Sequence, residues 1–216
     1  MSGHSKPAFV TFTGVDDPGT VNDLRALSDR YPIEWGVLVD PDRNIPPFAD
    51  SPLIRCLRHA GIRLSAHLCG TLAAAVVKGR PPQFEVAGFS RVQINHGLGT
   101  ATAAMIDRVG RYAACHGLRA ALQCSGAFPL DGRVDWLYDI SFGTGVQPGW
   151  FPPVDRAHPF CGVSGGIGPD NIVELLSSRL SIAADVPFWI DMESGVRTDG
   201  KLDLDKCAAV CAAIYG

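Results

Sequence analysis

Eight short apolar runs recur along the 216-residue chain, and each of them ends in a polar or glycine-containing segment. Most of these runs are separated by a stretch whose apolar residues recur at helical spacing. Strands that alternate with helices in this way form a parallel sheet with right-handed crossovers, and eight repeats close a barrel. The sequence therefore predicts one (β/α)₈ TIM barrel over residues 1–216, with residues 1–7 as a flexible N-terminus. The predicted strands are 8–13, 34–40, 63–69, 91–96, 119–124, 136–140, 160–164 and 187–192.

Helical patterns fill most of the connections between these strands. The predicted helices are 21–31, 53–60, 71–77, 100–115, 171–180 and 204–215. Residues 126–133 (GAFPLDGR), after the fifth strand, contain proline and glycine and are too few for a proper helix, so a loop replaces helix 5. Residues 143–158 are also poor in helical signal, and there we expect a long loop with a turn of helix around 154–157.

The composition excludes several classes of function. A formal net charge of −3 leaves no basic surface for nucleic acid, and the uncharged stretches are far too short to span a membrane. The N-terminal MSGHSKP lacks the apolar core of a signal peptide. The seven cysteines occur singly, as is typical of a reducing cytoplasm and not of a disulfide framework or a zinc site. We therefore expect a cytoplasmic protein without metal or cofactor, and both a monomer and a homodimer stay open.

Two glycine turns follow the last two predicted strands. Gly165 and Gly166 end the seventh strand, and Ser194 and Gly195 end the eighth. Backbone N–H groups at glycine can approach phosphate oxygens closely, and helix N-termini after such turns favour anions. The phosphate site of a (β/α)₈ barrel lies after strands 7 and 8. The paired turns therefore predict a small phosphorylated ligand held by these four residues.

Alternation along the strands predicts which side chains face the barrel mouth. Side chains that point out of the barrel must be apolar to pack against the helices. The alternate residues near the C-terminal end of each strand therefore point into the barrel mouth. A buried hydrogen-bond network without chemistry is the alternative interpretation. The polar residues of inward parity are Thr11, Thr13, Ser65, His67, Gln93, Asn95, Gln123, Asp139, Asp191 and Glu193.

Five motifs resemble the phosphoribosylanthranilate isomerase family, whose members are (β/α)₈ enzymes of tryptophan biosynthesis. They are GVSGGIGPDNI, DMESGVRTDGKLDLDK, VQINHG, YDISFGTG and DPDR, and they span almost the whole chain. The resemblance implies that Asp139 is the counterpart of the general acid and that Arg43 meets a ligand carboxylate. It also places Asp191 in the family's final motif and Gln93 in its Val-Gln strand, so that both contact the substrate.

Two positions depart from the family pattern. The family opens on a cysteine that acts as general base, whereas this chain has TFTG, with Thr13 beside the glycine. A threonine hydroxyl titrates far too high to act as an unaided base near neutral pH. Glu193 stands where the family has serine. The chain is therefore identified as a divergent member that lacks the catalytic cysteine.

Three hypotheses follow for the function. In the first, the chain isomerises a phosphorylated sugar derivative, with Asp139 as acid and either Glu193 or His67 as base, while Asp191 orients its neighbours or reacts. In the second, the chain is a binder or sensor that keeps the phosphate site and has lost the base. In the third, it is a scaffold protein with a vestigial mouth.

Overall fold

Eight parallel strands pair in chain order and close a barrel, because the first strand pairs with both the second and the eighth. The computed structural model describes residues 6–43, 51–97, 99–141 and 144–216. All eight predicted strands are present, which confirms the (β/α)₈ prediction. They are β1 (Phe9–Thr13), β2 (Ile33–Val39), β3 (Leu64–Leu68), β4 (Arg91–Ile94), β5 (Arg119–Cys124), β6 (Asp135–Tyr138), β7 (Cys161–Val163) and β8 (Phe188–Met192).

The helices lie between the strands and after the last of them. Ser51 and Thr102 fix two helix starts, since each hydroxyl accepts a hydrogen bond from the backbone N–H of the third residue that follows. A short antiparallel hairpin of β9 (Arg197–Thr198) and β10 (Lys201–Leu202) precedes the last helix. The helices are α1 (Val21–Ser28), α2 (Pro52–His59), α3 (Gly70–Val77), α4 (Ala103–Cys115), α5 (Ile172–Glu174) and α6 (Leu204–Tyr215).

Several predicted helix boundaries were wrong. The helix predicted over 100–115 begins at Ala103, because Thr102 caps it in an extended conformation. Only the start of the segment 171–180 is α-helical, and α5 continues as a π-helical turn over Leu175–Arg179. The turn of helix predicted at 154–157 is absent, because Val154 instead pairs with Ile182 in an isolated parallel bridge.

Loops cover the outer face of β6, where helix 5 of a regular barrel would lie. Residues 125–134 contain no helix, in agreement with the prediction for 126–133. Phe128 from this loop and Phe151 from the next pack against the Tyr138 ring, with centroid distances of 6.4 and 5.9 Å. Aromatic rings from two loops therefore bury this face in place of a helix.

The N-terminal half of the barrel interior is filled by aromatic rings and one buried cation. Phe9 and Trp189 lie in register at the starts of β1 and β8, and Phe160 stacks on Trp189 at a centroid distance of 4.9 Å. The Arg91 guanidinium, 1% exposed, lies 4.4 Å from the Trp189 ring, and its Nε is 3.4 Å from Glu34. This packing leaves the opposite, C-terminal end of the barrel for a site.

Gly162 on β7 provides the space for Trp189. A Cβ on Gly162 would lie 2.2 Å from Cε2 of the indole. We expect Gly162→Ala to lower the free energy of unfolding by about 1–3 kcal/mol, because the ring has to shift within a packed core. Urea denaturation measures the loss, and Gly132→Ala is the control, since a Cβ there meets no heavy atom within 4 Å. Equal midpoints for the two variants would contradict this account.

The two ends of the described chain meet. Pro7 is buried, and its carbonyl accepts a hydrogen bond from the Tyr215 hydroxyl at 3.1 Å. Residues 1–5, the greater part of the predicted flexible N-terminus, lie outside the described residues. Within the described ranges, every helix is too short or too polar to cross a membrane.

Candidate active site

A cavity of about 360 Å³ opens at the C-terminal ends of the strands. Ten residues predicted from the sequence line it: His67, Gln93, Asn95, Gln123, Asp139, Gly165, Gly166, Asp191, Glu193 and Ser194. Thr13 is buried next to it without lining it, and Gly195 packs against the loop after β7, where a Cβ would lie 2.1 Å from the Ile167 carbonyl oxygen. The side chain of Arg43 lies outside the described part of the structure.

Asp191 on β8 is held by side chains from the neighbouring strand β1 and from β4 across the barrel. The Thr13 hydroxyl on β1 donates to Asp191 Oδ1 at 2.7 Å, and the Gln93 amide on β4 donates to Oδ2 at 3.3 Å. Burial raises the pKa of Asp191 to about 7; the two hydrogen bonds oppose this increase, and the charges of Asp139 and Glu34 add to it. A carboxyl group that exchanges its proton near neutral pH therefore lies in the cavity wall.

His67 belongs to the same network but is a weak base. Its Nδ1 lies 3.1 Å from Gln93 Nε2 and 3.4 Å from Thr13 Oγ1. Burial lowers the pKa of His67 to about 4, so the ring is neutral at pH 7. Gly36 makes room for it, because a Cβ at that position would lie 2.4 Å from Thr13 Oγ1 and 3.0 Å from His67 Nε2. The ring is therefore better suited to packing and orienting its neighbours than to removing protons.

Asp139 faces the cavity from the residue after β6. Its Oδ2 accepts a hydrogen bond from Gln123 Nε2 at 2.9 Å, and its Oδ1 accepts from both the amide and the hydroxyl of Ser141 at 2.8 Å. Asp139 is 9% exposed and lines the same cavity as Asp191. Two carboxyl groups with different hydrogen-bonding surroundings thus share one cavity.

Three loops meet through glycine along one side of the cavity. Gly165 and Gly166 have φ values of +111° and +58°, which favour glycine. A Cβ on Gly166 would lie 2.5 Å from the Gly145 carbonyl oxygen, and one on Gly145 would lie 2.4 Å from Ser194 Oγ. The loops after β6, β7 and β8 can therefore approach this closely only without side chains at these positions.

The backbone at these turns can receive an anion, although the following helices differ from the prediction. The backbone amides of Gly165 and Gly166 donate no hydrogen bond to any of the described residues, whereas the Gly168 amide donates to the Asn171 side chain at 3.0 Å. The three-residue α5 follows the first turn, and a 3₁₀ turn over Ser194–Val196 follows the second. Helices this short have small dipoles, so an anion at this place would be bound mainly by hydrogen bonds from the backbone amides.

The C-terminal part of the chain matches a known family. Residues 142–213 match the family model described as N-(5'-phosphoribosyl)anthranilate (PRA) isomerase. The curated N-(5'-phosphoribosyl)anthranilate isomerase of Geobacillus thermodenitrificans strain NG80-2 is 34% identical over 79 residues, which cover 35% of this chain and 33% of the relative. Over this C-terminal segment the chain is similar to the phosphoribosylanthranilate isomerase family. The sequence match thus spans about a third of the curated relative, and the segment matched by the family model contains both glycine turns.

Similarity of fold extends over the whole barrel. The PRA isomerase of Pyrococcus furiosus superimposes with a TM-score of 0.55 at 13% identity, covering 95% of this chain and 98% of that one. The D17N mutant of the tryptophan synthase α-subunit from the same organism gives a TM-score of 0.51 at 11% identity, covering 90% of each chain. Identities this low show the shared barrel alone.

The site departs at β1 from the pattern that the sequence resemblance implies, and it contains two carboxyl groups after β2. Thr13, at the position that the resemblance assigns to the catalytic cysteine, directs its hydroxyl to Asp191. Asp40 and Asp42, which the sequence analysis did not assign to the site, line the cavity. The parity rule applied to β2 would have found Asp40, since it lies two residues after the inward Leu38.

Proposed function

We propose that this chain binds a phosphorylated sugar derivative at the barrel mouth and isomerises it by acid–base catalysis. The observation that carries the proposal is the position of Asp191, whose pKa is raised to about 7, in the wall of the cavity that Gly165 and Gly166 also line. A phosphate bound at the glycine amides would hold the sugar beside a group that takes up and releases protons at neutral pH. Positioning and proton transfer are the two effects that such an isomerisation needs.

The proposed proton transfers involve Asp191 and Asp139. An isomerisation through an enol-type intermediate requires one group to remove a carbon-bound proton and another to protonate the ring oxygen. Asp191 is the proposed base, since a carboxylate with a raised pKa is a stronger base than an ordinary one. Asp139 is the proposed acid, as the resemblance implies. Thr13 is a positioning residue, because its hydrogen bond fixes the orientation of the Asp191 carboxylate.

A second candidate function is a binder that performs no chemistry. Thr13 favours it, since this residue occupies the position of the family's cysteine and its hydroxyl cannot serve as the base. The retained Asp139 and the titratable Asp191 favour the isomerase, because a binder needs no carboxyl group that exchanges protons at pH 7.

Proton NMR in D₂O separates the two candidates. An isomerase that works through an enol exchanges the abstracted proton with solvent, so it incorporates deuterium at one carbon of the sugar. We would incubate the protein with phosphoribosylanthranilate and with a set of aldose and aminosugar phosphates, and measure binding of each by calorimetry. Deuterium uptake into any of them supports the isomerase. Binding without uptake supports the binder, and neither binding nor uptake contradicts both.

Asp139→Asn is expected to reduce turnover by about a hundredfold while phosphate affinity changes little. Asparagine keeps an oxygen for the Ser141 donors, so the cavity wall stays in place while the acid is lost. Single-turnover kinetics together with calorimetric titration of inorganic phosphate measure the two effects. Full activity of this variant would remove Asp139 from the mechanism.

A further inference from the structure

Gln123 holds Asp139 in the wall of the cavity. Gln123 on β5 pairs with Leu137 on β6, and Asp139 lies two residues after Leu137, so all three side chains point to the same side of the sheet. The backbone amide of Asp139 donates to the Cys124 carbonyl at 3.0 Å, which continues the pairing of the two strands. Gln123 Nε2 donates to Asp139 Oδ2 at 2.9 Å. The barrel itself therefore sets the position of the two side chains relative to each other.

The other end of the Gln123 amide has no partner. Gln123 is 5% exposed, and its buried Oε1 accepts no hydrogen bond from any of the described residues. A carboxylate can only accept, so the hydrogen bond to Asp139 requires Nε2 to face it and turns Oε1 away. A buried acceptor without a donor costs free energy. The ionised form of Asp139 thus leaves one atom of Gln123 unsatisfied.

The two oxygens of Asp139 differ in whether they can carry a proton. Oδ1 accepts from the backbone amide and the hydroxyl of Ser141, and a backbone amide can only donate, so Oδ1 stays unprotonated. Oδ2 is therefore the atom that carries the proton when Asp139 is an acid. A proton on the side of Oδ2 that faces Gln123 meets Nε2, which is itself a donor. A half-turn of the amide about χ3 presents Oε1 at the same place, and the two ends of the amide are nearly equal in size.

We infer that Gln123 is the positioning residue for Asp139 in both protonation states: Nε2 donates to the carboxylate, and after the half-turn Oε1 accepts from the protonated acid. The inference rests on the proposed function, from which it takes Asp139 as the acid. In the reaction the bond from Oδ2 to its proton breaks, the proton passes to the ring oxygen of the ligand, and the negative charge left on Oδ2 accepts from Nε2. Solvent later returns a proton to Oδ2. The acceptor that is unpartnered in the ionised state has its partner in the protonated state.

Asp139→Asn imitates the protonated acid and tests the half-turn without a substrate. The new side chain keeps its oxygen toward Ser141 and directs its nitrogen, a donor, at Gln123. NMR of the parent at pH 8 should show a scalar coupling across the hydrogen bond from Gln123 Nε2 to the carboxyl carbon of Asp139. In Asp139→Asn the coupling should run the other way, from the side-chain nitrogen at position 139 to the side-chain carbonyl carbon of Gln123. Both proteins are measured at one pH because Asp191, Glu193 and His67 line the same cavity.

Gln123→Met removes the donor and the acceptor together and nearly keeps the volume of the side chain. Since the half-turn preserves a hydrogen bond, Gln123→Met should lower the midpoint of urea unfolding both in the parent and in Asp139→Asn. Without the half-turn, two donors would face each other in Asp139→Asn, and Gln123→Met would relieve them. An unchanged or raised midpoint in that background would overturn the inference. Gln83→Met, at an exposed glutamine, is the control and should leave both midpoints unchanged.

Turnover separates a positioning role from a purely structural one. Gln123→Met should reduce kcat by about tenfold to a hundredfold and change KM by less than about twofold, because the acid is misplaced while the ligand still binds. In Asp139→Asn it should reduce kcat no further, since the acid is already lost. If the coupling does not reverse, or if Gln123→Met keeps the kcat of the parent, the inference is overturned and the proposed isomerase stands. If no phosphate compound is turned over, the proposed function fails, and the half-turn is confirmed or overturned by the NMR result alone.

Discussion

Asp191→Asn is expected to lower turnover by about a thousandfold, because the amide cannot accept the proton that the proposed base removes. Phosphate affinity should change little, since Asp191 lies on β8 before the glycine turn. The proposed activity of the parent protein should fall as the pH drops below about 7, where Asp191 becomes protonated. Measuring kcat/KM from pH 5 to 9 tests the assignment. A larger loss in Glu193→Gln or His67→Asn than in Asp191→Asn would place the base on that residue instead.

The same variant gives a result that needs no substrate. The pKa of Asp191 is raised in the folded state from its ordinary 3.8 to about 7, so the folded protein binds this proton more tightly than the unfolded chain. Ionisation of Asp191 therefore destabilises the fold, fully above about pH 7 and progressively less toward pH 4. Asp191→Asn should be more stable than the parent at pH 8, by about 2–4 kcal/mol, and this difference should vanish near pH 4.

His67 contributes to the pH dependence with the opposite sign. Its pKa is lowered to about 4, so the unfolded chain binds this proton more tightly, and the stabilisation is lost as the pH falls from about 6.5 to 4. The two effects partly cancel in the parent protein, and comparison with Asp191→Asn removes the His67 contribution because both proteins retain it. Asp29→Asn, an exposed carboxyl at the end of α1, is the control. A stability difference that does not depend on pH would contradict the burial of Asp191 as a charged group.

Gly166→Val is expected to weaken phosphate binding by more than a hundredfold. Gly166 has a φ of +58°, and a Cβ there would lie 2.5 Å from the Gly145 carbonyl oxygen, so the loops after β6 and β7 would have to separate. The amides of Gly165 and Gly166 would then no longer point together at one anion. Calorimetric titration with inorganic phosphate and with the phosphate ester of highest affinity measures the loss.

Two further variants show whether the backbone amides are responsible. Gly149→Val lies in the neighbouring loop at a position where a Cβ meets no heavy atom within 4 Å, and it should bind phosphate as the parent does. Ser194→Ala removes a hydroxyl and keeps the amide, so most of the affinity should remain. Circular dichroism and thermal unfolding would establish that each variant is folded. If Ser194→Ala loses as much affinity as Gly166→Val, the amides are not the main source of binding.

The fold could be predicted from local sequence patterns, because each strand is a separate apolar run in the sequence. Apolar runs at regular intervals predicted all eight strands, and the proline and glycine of 126–133 predicted the missing helix. Helix ends were predicted less well, since they depend on contacts beyond the segment. The pairing of Val154 with Ile182, for example, joins residues 28 positions apart and prevents the turn of helix predicted from the local sequence.

The side chains that point into the barrel mouth were also predictable from the sequence, because successive residues of a strand point to opposite faces. Parity placed His67, Gln93, Asp139, Asp191 and Glu193 at the mouth, and all of them line the cavity. The alternation of side chains did not indicate which of these residues would act as the base. The sequence-based choice of Glu193 or His67 as base could not take into account that burial lowers the pKa of His67 to about 4.

The sequence by itself determined the barrel, the two glycine turns and the polar character of the mouth, since these depend on neighbouring residues and on the alternation of strands. Only the tertiary structure decided which carboxyl group titrates near pH 7. The pKa of Asp191 depends on its burial and on hydrogen bonds from Thr13 and Gln93, which are 178 and 98 residues away in the chain. Closure of the barrel brings these side chains together and excludes water from them, and no local pattern records either effect.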